Sequence, residues 1–182
     1  MAEKFTIEAI NQQEYEEFIE NFEILDEHGI LIAGAVWSHR PFQSFDHLHR
    51  CFCDFMDSLP ESGKQSILRC HPNLAGKLAR QGKLTSESEQ EQASAGLSSL
   101  TDEQYNEIHK NNDIYRKKFS FPFVICAREN KIAAILQGLQ TRIQNARELE
   151  LQKGIEEVKK ISYYRLLDMI QEKTLSPKKP KL

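Results

Sequence analysis

Three places in the sequence bring together side chains able to do chemistry. His71 stands directly before Pro72. The residue before a proline is disfavoured in helical geometry, so the helix predicted through Ile67 and Leu68 must stop near Cys70. A helix C-terminus favours the charged imidazolium, which suits general acid or base work. The same placement also suits a structural histidine that caps the last carbonyls. Residues 85–92 read Thr-Ser-Glu-Ser-Glu-Gln-Glu-Gln. Ser86-x-x-Glu89 and Ser88-x-x-Glu91 are both capping-box spacings and predict a helix start. The N–H groups of such a start can receive a polar or anionic ligand, with Ser88, Glu91 and Gln92 lining that end. The alternative is a helix start and nothing more. Arg165 follows Ile161 by four residues and Val158 by seven, and precedes Met169 by four. Those offsets place it on the apolar face of a final helix. An inward guanidinium needs an anion. The anion is either a protein carboxylate in a buried ion pair or a substrate carboxylate gripped by the planar fork.

Other chemistries find no support. His47 and His49 are two residues apart, which on a helix turns them about 200° away from each other. His28, His39 and His109 show no ligand spacing either, so no metal site is expected. The motifs GxGxxG, GxxxxGK[ST] and GxSxG are absent, which removes the usual signals for nucleotide cofactors and serine hydrolases. Cys51, Cys53, Cys70 and Cys126 form no CxxC pair. They read as free, mostly buried thiols in a reducing compartment.

The chain that must position these groups has 182 residues, enough for one domain. Forty per cent of it is apolar, and at this length roughly two-thirds of the surface can be buried without a metal or disulfide. A net charge of -3 and a pI near 6.1 argue against a dedicated nucleic-acid binder. The longest apolar run, Ile30 to Trp37, falls far short of the about 20 residues that span a bilayer. Met1-Ala2-Glu3-Lys4 lacks the pattern of a secretory signal, so a soluble protein is expected, with no membrane partner.

Periodicity predicts helix nearly throughout. Asn11-Gln12-Gln13-Glu14 reads as a capping box opening a helix to about Phe22. Ser44 caps a second, striped by Phe45, Leu48, Phe52, Phe55, Met56 and Leu59 and ended by Pro60. Thr101-Asp102-Glu103-Gln104 opens a polar helix to about Phe119, and Asn130 caps the next, with Ile132, Ile135, Leu136, Leu139 and Ile143 on one side. The last helix carries Leu151, Ile155, Val158, Ile161 and Met169. Phe121-Pro122-Phe123-Val124-Ile125-Cys126-Ala127 breaks the pattern. A lone strand is unstable, so this run is expected to be a buried extended connector whose backbone groups need partners. That makes it a ligand-facing candidate. The expected fold is all-α: a single-domain multi-helix bundle over residues 1–173 with a short extended connector near the site. Residues 174–182 form a basic, proline-rich tail expected to be flexible.

His71-Pro72-Asn73-Leu74-Ala75-Gly76-Lys77-Leu78-Ala79, then Leu84-Thr85 and Ser88-Glu89-Gln90-Glu91-Gln92-Ala93, resemble the 2-oxo-4-hydroxy-4-carboxy-5-ureidoimidazoline (OHCU) decarboxylases of the urate-to-allantoin pathway. Trp37-Ser38-His39-Arg40-Pro41-Phe42, the 121–125 run and the helix carrying Arg165 share the resemblance, which extends from about Phe5 to Gln171. The pairing of His-Pro with Ser-x-x-Glu-Gln makes it specific. The resemblance implies an all-α homodimer with no metal or organic cofactor. It implies catalytic roles for His71, Glu91 and Arg165. It implies substrate contacts from Pro72, from Ser88, Glu89, Gln90, Glu91 and Gln92, from Phe123, Val124, Ile125, Cys126 and Ala127, and from Arg165. The implied reaction turns OHCU into (S)-allantoin.

Such a reaction asks little of the protein. The departing carboxylate sits on a ring carbon beside a C=N bond, so the substrate is its own electron sink and needs no pyridoxal phosphate or thiamine. A different class of function stays open: a non-catalytic helical module that binds partners or a purine-pathway metabolite. Pro180-Lys181-Leu182 resembles the Ser-Lys-Leu peroxisomal signal, with proline in the first place. A peroxisomal import receptor is therefore an expected partner and the peroxisome the expected address, with the cytoplasm as the alternative.

Overall fold

The computed structural model describes residues 4–25, 29–76 and 81–171. The expectations for His28, for Lys77 to Ala79 and for the tail at 174–182 concern residues outside these described ones. Nine α-helices occur among the described residues: α1 (Ile7–Gln12), α2 (Tyr15–Phe22), α3 (Ile30–Trp37), α4 (Phe45–Ser58), α5 (Glu61–Cys70), α6 (Ser86–Ser94), α7 (Asp102–Phe119), α8 (Ile132–Arg142) and α9 (Arg147–Met169). The fold is all-α, as the periodicity predicts.

Local chemistry explains most boundaries. Ser44 Oγ accepts the His47 N–H at 3.1 Å and starts α4, and Pro60 follows its end. Thr101 and Gln104 form the expected reciprocal capping box of α7, and Ser120 closes that helix in left-handed backbone at φ 66. Two expected caps fail. Asn11 does not open a helix: its side chain clasps the Phe42 backbone, donating to the carbonyl at 2.8 Å and accepting the N–H at 2.7 Å. Arg40 then takes the carbonyls of Asn11 and Gln13, which splits the segment into α1 and α2. Asn130 does not cap α8; it donates to the Cys126 carbonyl at 2.9 Å, and Lys131 is the capping position. The apolar run Ile30–Trp37 is helix α3, which uniform hydrophobicity conceals because it leaves no period.

Helix α9 is the spine. It packs against α4, α5 and the short turn Glu23–Leu25. Gly154 lets α5 approach closely, since a Cβ there would lie 2.7 Å from Leu68 Cδ1. Helices α2, α3 and α4 pack in sequence, and α7 pairs with α8. Phe18, Phe22, Phe52, Tyr115, Phe119, Phe121 and Phe123 are fully buried at the centre. Residues 121–126 are neither helix nor strand and are buried apart from the half-exposed Ile125, as expected of the connector. One isolated bridge, between Phe5 and Ile170, ties the two ends of the described chain together. No described helix is long and apolar enough to cross a membrane.

Candidate active site

His71 is the C-cap of α5, in extended backbone (φ -70, ψ 141), with its N–H on the Leu68 carbonyl at 3.3 Å. Leu68 is wedged on Gly154, so α9 fixes where α5 delivers the imidazole. The side chain of His71 is buried. The turn after Pro72 is held from two sides. Gln92 Oε1 accepts the Ala75 N–H at 3.0 Å, and Asn112 donates to the Leu74 carbonyl at 3.1 Å. Ala75 sits at φ 49, a conformation L-residues reach only with support.

The start of α6 differs from both capping-box readings. Thr85 is the cap, and its hydroxyl accepts the Ser88 N–H at 3.3 Å. Ser86 instead donates to Glu87 at 2.8 Å. With the cap supplied one residue before Ser86, Ser88 and Glu91 turn inward and are buried. There they meet Arg165. Arg165 donates Nε to Glu91 Oε1 at 3.0 Å and Nη2 to Glu91 Oε2 at 2.9 Å. Nη2 also reaches Ser88 Oγ at 3.3 Å, and Nη1 takes the Ile24 carbonyl at 2.8 Å. Of the two readings of the inward arginine, a buried ion pair is present, and it lies inside the candidate site.

Arg128 stands on the outer side of Glu91, its Nε 3.6 Å from Oε1. Its Nη2 bonds Asp168 at 2.5 Å. Burial opposes the Arg128 charge, but the Asp168 carboxylate outweighs it and lifts the guanidinium further above its ordinary value. Glu91 is thus one carboxylate between two guanidiniums, and with Asp168 on Arg128 the cluster pairs two cations with two carboxylates.

A cavity opens among these groups. Its walls are His71, Pro72, Leu74, Ser88, Glu91, Gln92, Phe123, Val124, Ile125, Ala127, Ile161 and Arg165. Three distant segments, 71–74, 88–92 and 123–127, therefore converge on Arg165 of α9. Glu89 and Gln90 are exposed and outside this wall. Cys126 is also outside it: its N–H goes to Glu157 Oε2 at 2.8 Å, and burial pushes its thiol up to about 11. Leu74, Ile161 and Arg128 were not singled out by sequence reasoning. Ile161 reads in the sequence only as core, and Arg128 sits in a turn where no period flags it. Among the described residues no group of three or more His, Cys, Asp or Glu could hold a metal.

The family model for OHCU decarboxylase matches residues 11–167. The chain is 44% identical to the 2-oxo-4-hydroxy-4-carboxy-5-ureidoimidazoline decarboxylase of Xenopus laevis over 172 residues, covering 94% of this chain and 98% of that one. It is 44% identical to the Mus musculus protein of the same name, over 88% of this chain and 90% of that one. Two crystal structures share the fold. One is an (S)-allantoin synthase (TM-score 0.73, 22% identity, 91% of this chain and 54% of that one). The other is an OHCU decarboxylase in the presence of (S)-allantoin (TM-score 0.67, 20% identity, 86% of this chain and 97% of that one). With its sequence matched almost end to end and its helices arranged as in those structures, this chain belongs to the OHCU decarboxylase family.

Proposed function

We infer that the protein is a carboxy-lyase that converts OHCU to (S)-allantoin in urate degradation. The observation that carries this reading is the cavity in which His71 and the Arg165–Glu91 pair face each other's segments, in a chain of this family. The substrate carboxylate is drawn to the Arg165 guanidinium, which borders the cavity. Glu91, aimed by the guanidinium fork, accepts N–H groups of the ureido arm or ring. Ser88 and the 123–127 backbone complete the polar contacts, and Phe123 and Ile161 exclude water.

The bond from the ring carbon to the carboxylate breaks. Its electron pair forms a double bond to the neighbouring carbon, and the C=N pair moves onto nitrogen, which takes a proton. The enol then gains a proton on the ureido-bearing carbon as its hydroxyl loses one, giving the ketone. His71, at the cavity wall, is placed to move these protons. Protonation from one face makes a single enantiomer.

The test is addition of the purified protein to OHCU made freshly from urate, followed by circular dichroism. Accelerated loss of OHCU with growth of an optically active product is expected. Loss no faster than in buffer would leave a non-catalytic metabolite-binding module. A homodimer and a peroxisomal address through Pro180-Lys181-Leu182 belong to the same proposal, supported by the family resemblance. Light scattering and imaging of fusions with and without residues 180–182 test them.

A further inference from the structure

The 121–127 connector lies against the cavity with no neighbouring strand to pair with among the described residues, yet two of its backbone groups are held by charged side chains. Arg142, at the end of α8, donates Nη1 to the Val124 carbonyl at 2.8 Å and lies over the Phe123 ring at 4.6 Å. Glu157 of α9 accepts the Cys126 N–H at 2.8 Å. In an extended chain the N–H and C=O of one residue point to one edge and those of its neighbours to the other. Val124 and Cys126 are alternate residues, so both bonds secure the same edge. The opposite edge belongs to Phe123 and Ile125, which line the cavity together with Val124 and Ala127; Cys126 does not, and Ala127 begins a turn in which its carbonyl accepts the Asn130 N–H at 3.3 Å.

We propose that Arg142 and Glu157 are positioning residues, side-chain substitutes for a partner strand, which turn the Phe123–Ile125 edge towards the substrate. This role rests on the OHCU decarboxylase reading. Arg142 is itself held. Its Nε donates to Glu150 Oε1 at 2.7 Å, and Nη2 is 2.6 Å from the same oxygen. Glu150, with no exposure at all, also accepts from Asn145 at 2.7 Å and from the Tyr115 hydroxyl. Glu157 is steadied by Lys160 at 2.8 Å. None of Arg142, Glu150 or Glu157 borders the cavity, so none touches substrate.

Glu157 gives the cleaner test, because it lies near the surface and its loss leaves no charge stranded in the core. Steady-state kinetics on fresh OHCU should show KM raised about tenfold in Glu157→Ala, with kcat changed by less than about threefold (a tenfold change is about 1.4 kcal/mol). Glu157→Gln keeps the acceptor oxygen and should restore KM to near wild type, although the charge is gone. The double variant Arg142→Met/Glu150→Gln removes the buried pair together and should raise KM in the same way. Hydrogen exchange of residues 121–127 should quicken in the Glu157→Ala and double variants. An unchanged KM in folded Glu157→Ala, or a Gln variant as impaired as the Ala variant, overturns the positioning role. Failure of the wild-type chain to consume OHCU sinks the functional reading and this role with it. Wild-type turnover with an unmoved KM in the variants sinks the positioning role alone.

Discussion

Glu91 and Arg165, one on a short helix at the surface and one on the central helix, meet in two parallel hydrogen bonds of 3.0 and 2.9 Å while almost completely shielded from water. A fork of this kind fixes both partners in direction as well as distance. The pair therefore does two jobs at once. It neutralises a buried charge, and it holds a carboxylate at the cavity wall in one orientation.

Glu91→Ala is accordingly expected to cost far more than a helix cap. Stranding a buried guanidinium typically costs about 3–5 kcal/mol, against about 1 for a cap. Chemical denaturation measures the loss. A drop of only about 1 kcal/mol would mean that water or another group replaces the carboxylate.

Arg165→Lys keeps the charge but loses the fork. Lysine cannot reproduce two parallel bonds to Glu91 together with those to Ser88 and Ile24. OHCU turnover should fall by more than the loss of folded protein explains. A variant with lowered melting temperature and normal kinetics would confine Arg165 to structure.

His71→Ala should lower kcat by about 10²–10⁴, the usual worth of a general acid–base group. The fold should survive, because the helix is ended by Pro72 and anchored by Leu68 rather than by the imidazole. Near-normal turnover by the folded variant would remove the histidine from the mechanism.

Thr85 and Ser88 should separate cleanly. Thr85→Ala removes the cap and should cost about 1 kcal/mol of stability with modest kinetic effect. Ser88→Ala removes a contact to Arg165 and should impair OHCU turnover more than stability. The opposite pattern would mean that Ser88 is the true cap.

Stability should decline in alkali. Burial lifts the Cys53 and Cys126 thiols from an ordinary 9.0 to about 11, and burial with the Glu150 contact raises the Tyr115 phenol further still. Folded-state values above the unfolded ones mean that the native state holds more protons. The stabilisation is therefore complete below about pH 9 and is lost as pH climbs through the folded values. Melting temperature should fall between pH 9 and 11; a flat profile there would contradict the burial of these groups.

Most of what a linear reading of the residues captures is local. Ser44 and Thr101 set helix limits through bonds to residues three away, and Pro72 through a clash with its own neighbour, all of which a linear reading captures. The inward face of Arg165 was legible because helical periodicity is local too. The family motifs around His71 and Ser88 marked two walls of the cavity. What closed around Arg165 was not legible. Glu91 lies 74 residues from its arginine, and nothing in the spacing says that Thr85, and not Ser86 or Ser88, supplies the cap and so releases Ser88 and Glu91 to face inward. Asn11 shows the same effect in reverse: a residue type suited to a helix start was claimed by the Phe42 backbone 31 positions away. The sequence marks the 121–127 connector as a non-helical apolar run, but its partners are hidden. Arg142 and Glu157 lie on helices whose sequences show only amphipathic periodicity, and packing alone brings them to the one backbone edge that needs them. Polar side chains with several competing partners are assigned by the tertiary structure, because the choice among bonds of similar strength depends on which groups the fold takes out of water.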